Sequence, residues 1–214
     1  MATNRYNGRK ATLESFTAGA VFYRILPADA TYTSDSYNPT PRPLDDPKQG
    51  RFEPADPSLG GYTYVSPSVA GAIAEGILRN QRIPASGLAR RIWLINKKIA
   101  TLRLLDDINV AAVYGEHTAA LNLDGALLCC GRRGYTRCRQ TGTDILLKTP
   151  EARGLQYDCR NNLALTSLVL ITRGSAPKME IVSEYDVLLD EEGRSQVLET
   201  LDDVFHLKYA GKFA

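Results

Sequence analysis

Glu75 is the residue of this 214-residue sequence whose surroundings best suit chemistry. It lies on a predicted helix whose apolar residues recur at about 100° per residue and form one face. Glu75 lies away from that face, beside Ser68 and Gly71. Small neighbours leave a carboxylate open to a cleft that admits a ligand, so Glu75 is a candidate catalytic residue. The spacing alone favours the alternative, an ordinary solvated glutamate on an amphipathic helix.

Two arginines precede Glu75 in positions that also suggest function. Arg24 lies in the apolar run AVFYRIL, residues 20–26, which is typical of a β-strand. Burying a guanidinium is costly without an anion, so Arg24 either pairs internally or faces a binding site. Arg51 follows a segment rich in Pro, Asp, Ser and Gly, residues 29–60. A loop of that length is a lid or binding loop, or else a mobile surface excursion.

Composition limits the classes of function. Charged residues are 23% of the chain, hydrophobic residues 43%, and the net charge is +2. That charge does not by itself indicate a nucleic-acid or membrane partner. The four cysteines and two histidines form no zinc-binding spacing, and reduced thiols are the expectation for a cytoplasmic protein. We find no membrane-spanning run and no signal-peptide pattern, although a secreted effector that uses a specialised export route would look the same.

The elements that must position these residues are predicted as follows. A strand at residues 61–65 leads into the Glu75 helix, with Ser66 as its N-cap and Pro67 at its first position. Further strands are predicted at residues 20–26, 88–96, 98–105, 154–160, 163–173 and 181–189. Helices are predicted at residues 106–114, 141–148 and 193–209, and residues 121–130 are ambiguous.

Residues 131–139, GRRGYTRCR, form a strongly basic run with four arginines and one tyrosine. Such a run suits nucleic-acid phosphates, a diphosphate ligand or an acidic partner protein, and it is also typical of a solvated loop. Binding to nucleic acid would depend steeply on salt.

Several pieces of the sequence together resemble the RES domain family. The pieces are Phe22-Tyr23-Arg24-Ile25, Gly50-Arg51-Phe52, Tyr64-Val65-Ser66 followed by Glu75, the stretch LRLLD at residues 102–106, Tyr135-Thr136-Arg137 and GLQYDCR at residues 154–160. The last piece resembles the family segment "G-[IL]-x-Y-x-S-R", with Cys159 in place of the serine and Arg160 kept. The resemblance extends from about residue 20 to about residue 205.

This resemblance implies a fold and an activity. The fold is α+β, a single compact mixed-sheet domain similar to ADP-ribosyltransferases, spanning residues 13–214 after a loose segment 1–12. An NAD-binding cleft lies between strands and flanking helices. RES proteins resemble toxins that cleave the nicotinamide–ribose bond of NAD and pass ADP-ribose to water, phosphate or a target protein. NAD is therefore a substrate, with no prosthetic group or metal, and a neutralising antitoxin or immunity protein is the expected partner.

Roles for individual residues follow from the resemblance and from the chemistry. Glu75 would stabilise the positive charge that develops on the ribose as the bond breaks. Arg24 and Arg51 would neutralise the diphosphate, and Tyr64 would stack on the nicotinamide ring. Cys159 and Arg160 would contact the ligand, and we expect the cysteine to alter that contact and not to act as a new nucleophile.

Three functions remain open at this stage. The first is an enzyme that consumes free NAD by hydrolysis or phosphorolysis. The second is an ADP-ribosyltransferase that modifies a protein. The third is a catalytically weakened RES fold that acts as a binding module, which the replacement at Cys159 suggests. A direct nucleic-acid partner is the least favoured reading, and a membrane partner is not expected.

Overall fold

The computed structural model describes residues 6–128 and 130–211. Eight strands carry the fold: β1 (Leu13–Phe16), β2 (Val21–Pro27), β3 (Tyr62–Val65), β4 (Lys97–Leu104), β5 (Ile108–Val113), β6 (Gly154–Cys159), β7 (Asn162–Ile171) and β8 (Met179–Asp186). The helices are α1 (Val69–Ile73), α2 (Arg91–Leu94), α3 (His117–Ala120), α4 (Gly125–Leu128), α5 (Tyr135–Lys148), α6 (Glu191–Arg194) and α7 (Thr200–Phe205). Two π-helical turns, Ala74–Leu78 and Ser195–Glu199, continue α1 and α6.

The strands form two sheets, of which only the larger is mixed, with helices around them. One sheet has five strands in the order β1-β5-β6-β7-β3, and the other has three in the order β2-β4-β8. All pairings are antiparallel except that of β5 with β6, which is parallel. The predicted α+β class is confirmed.

The core lies in three clusters. One joins the two sheets through Phe22, Leu102, Val110 and Leu168. A second covers the other face of the five-stranded sheet with residues of α5. The third packs the helices that follow β3 and β8 against each other, with Trp93 among its buried members. Burial of these apolar surfaces is the main driving force that holds the layers together.

Two element predictions are wrong. Residues 88–96 were expected to be a strand, but their centre is the single helical turn α2, which buries Trp93 and Leu94 and leaves Ile92 73% exposed. Residues 106–114 were expected to be a helix, but they contain the strand β5. Asp107 does not cap a helix; its carboxylate accepts a hydrogen bond from the Ala18 amide at 2.8 Å.

Other predicted elements are present with different bounds. The final helix, predicted at residues 193–209, is interrupted by the π turn Ser195–Glu199 and ends at His206, whose φ is +54°. The helix predicted at residues 141–148 begins earlier, at Tyr135. The strand predicted at 163–173 is β7, which lies inside the sheet between β6 and β3.

The first described residues contact the domain. The Asn7 amide donates to the Leu121 carbonyl at 3.2 Å, and Ala11 is buried in the core. The Thr12 carbonyl accepts from the Ala112 amide at 2.9 Å, so Asn7 and Thr12 both form backbone hydrogen bonds with the domain. The loose segment expected at residues 1–12 stays a prediction. Among the residues that the structure describes, no helix combines the length and the apolarity that crossing a membrane requires.

Candidate functional site

A cavity of about 520 Å³ opens where the two sheets meet. Its walls come from β2, β3, the helix after β3 and the Pro-rich loop. The two sheets are joined at this point by a backbone bridge, in which the Tyr23 amide donates to the Ser66 carbonyl at 2.7 Å and the Ser66 amide to the Tyr23 carbonyl at 2.9 Å. Cavities of this size are typical of small-molecule sites.

Glu75 lies in this wall, on the π turn that continues α1. The N-cap of α1 is Ser68 and not the predicted Ser66: the Ser68 hydroxyl accepts from the Gly71 amide at 3.1 Å. The helix packs closely on β2, since a Cβ at Gly76 would lie 2.7 Å from the Ile25 Cβ. Single π turns within helices are frequent at functional sites, because they change the direction of one side chain.

The two oxygens of Glu75 are in different surroundings. Oε1 lies 3.1 Å from Nη2 of Arg51, and the two side chains are 10% and 1% exposed. Oε2 is buried and has no hydrogen-bond partner among the described residues. A buried polar atom without a partner is rare in proteins and marks a place where a ligand can bind.

Arg51 holds Glu75 in place and does not line the cavity wall. Its Nη2 also donates to the Asp158 carbonyl at 2.7 Å, and its guanidinium stacks on Phe52 at 5.2 Å and on Tyr157 at 4.8 Å. Burial is the largest influence and opposes the positive charge of Arg51, but Glu75, Tyr157, Cys138 and Tyr135 together outweigh it and raise the pKa of the guanidinium. The structure thus gives Arg51 a positioning contact, where the sequence analysis expected a diphosphate contact.

Arg24 lines the cavity and is also held internally. Its Nη1 donates to the carbonyls of Ser34 and Ser36 at 2.7 and 2.8 Å, and the guanidinium lies over the Tyr32 ring at 5.7 Å. Burial lowers the pKa of Arg24. The sequence left open whether Arg24 pairs internally or faces a binding site. In the structure its Nη1 is paired with backbone carbonyls, and the side chain also lines the cavity.

Tyr64 lines the same cavity, with its hydroxyl accepting from the Phe52 amide at 3.2 Å. The Tyr64 hydroxyl also packs closely against Gly50, where a Cβ would lie 2.4 Å from it, and the two contacts together fix the ring. Burial raises the pKa of Tyr64 well above its ordinary value, so it stays a neutral hydrogen-bonding group. The other aromatic side chains in the wall are also tyrosines: Tyr23, Tyr32, Tyr37 and Tyr62.

Cys159 and Arg160 lie behind the cavity wall. The Cys159 sulfur is fully buried, 3.2 Å from the Ser167 hydroxyl oxygen and 3.9 Å from the Gly71 carbonyl. Arg160 donates from Nη1 to the Arg79 carbonyl at 3.3 Å, so it supports the end of the Glu75 helix. We expected both residues to contact the ligand directly. The structure places them near the site, but neither is among the residues that line the cavity.

We expect Cys159 to resist alkylation in the folded protein. Burial, with Glu75 adding to it, raises the pKa of its thiol to about 12, so almost none is thiolate at pH 8. Treatment with iodoacetamide followed by peptide mass mapping should leave Cys159 unmodified in buffer and fully modified in denaturant. Rapid native labelling at Cys159 would contradict this and would reopen the case for a nucleophile.

Sequence reasoning missed three basic residues in the wall: Arg42, Lys48 and Arg79. Arg79 follows Glu75 by four residues, a spacing that brings side chains together on a helix, and this signal was present in the sequence. Burial is the largest influence and opposes its charge, but Tyr64, Glu75, Tyr135 and Tyr157 together outweigh it and raise the pKa of Arg79. Arg42 and Lys48 come from the Pro-rich loop, whose path over the site gave no local signal.

The basic run at residues 131–139 contains one structural arginine. Arg139 is 1% exposed and donates to the carbonyls of Arg42, Pro43, Glu53 and Pro54 and to the Gln49 side chain, at 2.7 to 3.0 Å. Tyr135 is also buried. A docking or phosphate-binding role for this run stays a prediction, and it would use the other arginines, because Arg139 and Tyr135 face inward.

No group of three or more His, Cys, Asp and Glu side chains that could hold a metal is found among residues 6–128 and 130–211. The cavity wall carries four cationic side chains, those of Arg24, Arg42, Lys48 and Arg79, and the carboxylate of Glu75. The excess of positive charge in the wall favours an anionic ligand, and the tyrosine rings of the wall suit flat groups on that ligand.

A comparison with solved structures finds a similar fold in one chain of the crystal structure titled for the M. tuberculosis MbcT-MbcA toxin-antitoxin complex. The TM-score is 0.55, the identity is 15%, and the match covers 80% of this chain and 86% of that one. No family model and no curated protein matches this sequence. At this identity, the similarity establishes the fold.

Proposed function

We propose that this protein is a toxin-like enzyme that cleaves the nicotinamide–ribose bond of NAD. The observation that carries the proposal is Glu75, with one carboxylate oxygen held by buried Arg51 and the other without a partner at the cavity wall. The RES resemblance and the fold shared with a chain of a toxin–antitoxin complex support the same assignment.

The cavity wall has the groups that such a substrate needs. A dinucleotide carries a diphosphate, for which Arg24, Arg79 and the loop cations Arg42 and Lys48 provide opposite charge. It also carries two flat bases, for which tyrosine rings are suitable stacking surfaces. NAD enters as the substrate, and the residues of the wall bind and orient it.

The reaction follows from the position of Glu75. The bond between the ribose anomeric carbon and the nicotinamide nitrogen breaks, its electron pair leaves with nicotinamide, and the ribose becomes an oxocarbenium-like cation. The carboxylate of Glu75 stabilises that cation, and Arg51 keeps the carboxylate directed at the site. The oxygen of water then bonds to the anomeric carbon and its proton passes to the solvent. A phosphate oxygen that is already deprotonated bonds there without losing a proton.

The test is a product analysis of purified protein incubated with NAD, with and without phosphate. We expect release of nicotinamide together with ADP-ribose, or with its phosphate ester when phosphate is present and is the acceptor. Chromatography with mass detection measures both products. A folded protein that leaves NAD intact in both buffers, and transfers no ADP-ribose to added protein, would refute the proposal.

The proposal includes a neutralising protein partner that covers the cavity. An unrestrained NAD-degrading enzyme would harm its own cell, and the structural neighbour comes from a toxin–antitoxin complex. Since Arg139 and Tyr135 are buried, such a partner cannot dock on the basic run as a whole. The exposed Arg132 and Arg133 remain accessible on that side.

A further inference from the structure

The Ser167 side chain, on β7, lines the same cavity as Glu75. The register of β6 and β7 places Ser167 opposite Tyr157, two residues before Cys159. Side chains two residues apart on a strand share a face. The register shifts between Asp158 and Cys159, so alternation alone does not fix the direction of the Cys159 side chain. The distance of 3.2 Å between the Ser167 oxygen and the Cys159 sulfur shows that the two side chains lie on the same side of the sheet.

The two side chains differ in their access to the cavity. Ser167 is one of the lining residues although it is only 1% exposed, whereas Cys159 lies behind it. The thiol of Cys159 is a weak hydrogen-bonding group, and its pKa is raised to about 12 by burial and by Glu75. A ligand in the cavity therefore meets the Ser167 oxygen before it meets the sulfur.

The hydrogen bonds of Ser167 indicate what it can bind. Its hydroxyl oxygen lies 3.4 Å from the Gly71 carbonyl, to which it donates, and 3.2 Å from the Cys159 sulfur, where either group can be the donor. With its proton directed at Gly71, the hydroxyl has a lone pair left to accept a hydrogen bond from the cavity side. An acceptor suits a hydroxyl donor of the ligand and does not suit a phosphate oxygen.

We infer that Ser167 binds a sugar hydroxyl of the substrate beside Glu75, and that it does so in place of Cys159. The inference rests on the proposed function, because the sugar is the ribose whose anomeric carbon reacts. In chemical terms, the hydroxyl that the resembled segment carries on β6 is supplied here by the neighbouring strand β7. The proposed site then keeps a hydroxyl for the sugar, so the replacement at Cys159 is not a reason to expect a catalytically weakened protein.

The experiment compares Ser167→Ala, Cys159→Ser and the control Thr166→Val, which changes the adjacent residue on the opposite face of β7. We expect Ser167→Ala to lower kcat/KM for NAD by about tenfold, the value of one neutral hydrogen bond. Its affinity for ADP-ribose, measured by calorimetry, should fall by a similar factor. For Cys159→Ser and Thr166→Val, kcat/KM for NAD and the affinity for ADP-ribose should each remain within about twofold of the wild-type values.

Thermal unfolding reports whether each variant is folded, and Ser167→Cys preserves the volume if alanine at this buried position prevents folding. It should lose about as much as alanine, since a thiol is a poor partner for a sugar hydroxyl. Two results would overturn the inference and leave the proposed function intact, both with an active wild type. One is a folded Ser167 variant with unchanged activity, and the other is a strong rise in activity in Cys159→Ser. A wild type that neither consumes NAD nor binds ADP-ribose would refute both.

Discussion

Replacing Glu75 with glutamine should lower the turnover of NAD by roughly a thousandfold, the upper range for removing one electrostatic contact to a transition state. The substitution removes the negative charge that stabilises the oxocarbenium-like ribose. It keeps an oxygen that can accept from Nη2 of Arg51, which now lies 3.1 Å from the carboxylate. The fold should therefore survive the change, which steady-state release of nicotinamide and thermal unfolding together would measure.

Glu180→Gln is a suitable control for this experiment. Glu180 also forms an arginine pair, with Arg103 at 2.9 Å, but both side chains are about half exposed and lie on β4 and β8, away from the cavity. Its turnover should match that of the wild type. If Glu75→Gln retained more than about a tenth of wild-type turnover, where removal of a contact of this kind costs 10² or more, the central role given to Glu75 would be wrong.

Replacing Arg139 with methionine should destabilise the protein by about 3–5 kcal/mol, the cost of breaking a buried charged network. Methionine fills much of the space but leaves the carbonyls of Arg42, Pro43, Glu53 and Pro54 without their donor. Because buried acceptors without partners are costly, the effect should exceed that of most substitutions. Chemical denaturation measures the free energy of unfolding.

Arg133→Met provides the comparison within the same basic run. Arg133 is exposed, so its replacement should change the free energy of unfolding by no more than about 0.5 kcal/mol. Equal effects at the two positions would show that the hydrogen bonds of Arg139 add little stability. A loss confined to Arg139 would show that the basic run contains one structural arginine among surface ones.

The part of the site that the sequence predicted is the part that local rules control. Helical spacing after β3 was enough to place Glu75 away from the apolar face, although spacing alone favoured a solvated glutamate over one that faces a cavity. The strand content around Arg24 was enough to place that arginine in a sheet. Both conclusions use residues within about ten positions of each other, where periodicity is informative.

The contact between Arg51 and Glu75 could not be predicted in this way. The residues are 24 positions apart, and their approach depends on the stacking of Arg51 on Tyr157, more than a hundred residues later. Hydrophobic patterns do not encode such long-range contacts. The resemblance placed both residues at a site, but assigned Arg51 to the ligand and not to the carboxylate.

The error at residues 106–114 has a similar origin. Acidic residues before an apolar stretch are a valid signal for the start of a helix, but β5 is the strand that pairs in parallel with β6 and has five of its six residues buried. A strand buried on both faces shows no alternation of polar and apolar residues. Tertiary pairing, which the sequence of one segment does not reveal, decided its conformation.

The hydrogen bonds from Arg139 to the Pro-rich loop also bear on the rate of ligand binding. A loop fixed by five acceptors loses its conformational entropy when the chain folds, so no comparable loss remains when a ligand arrives. Arg42 and Lys48 are thereby held at the rim of the cavity before an anion approaches. We therefore expect an anion to meet charges that are already in place at the rim, with no closure of the loop before it binds.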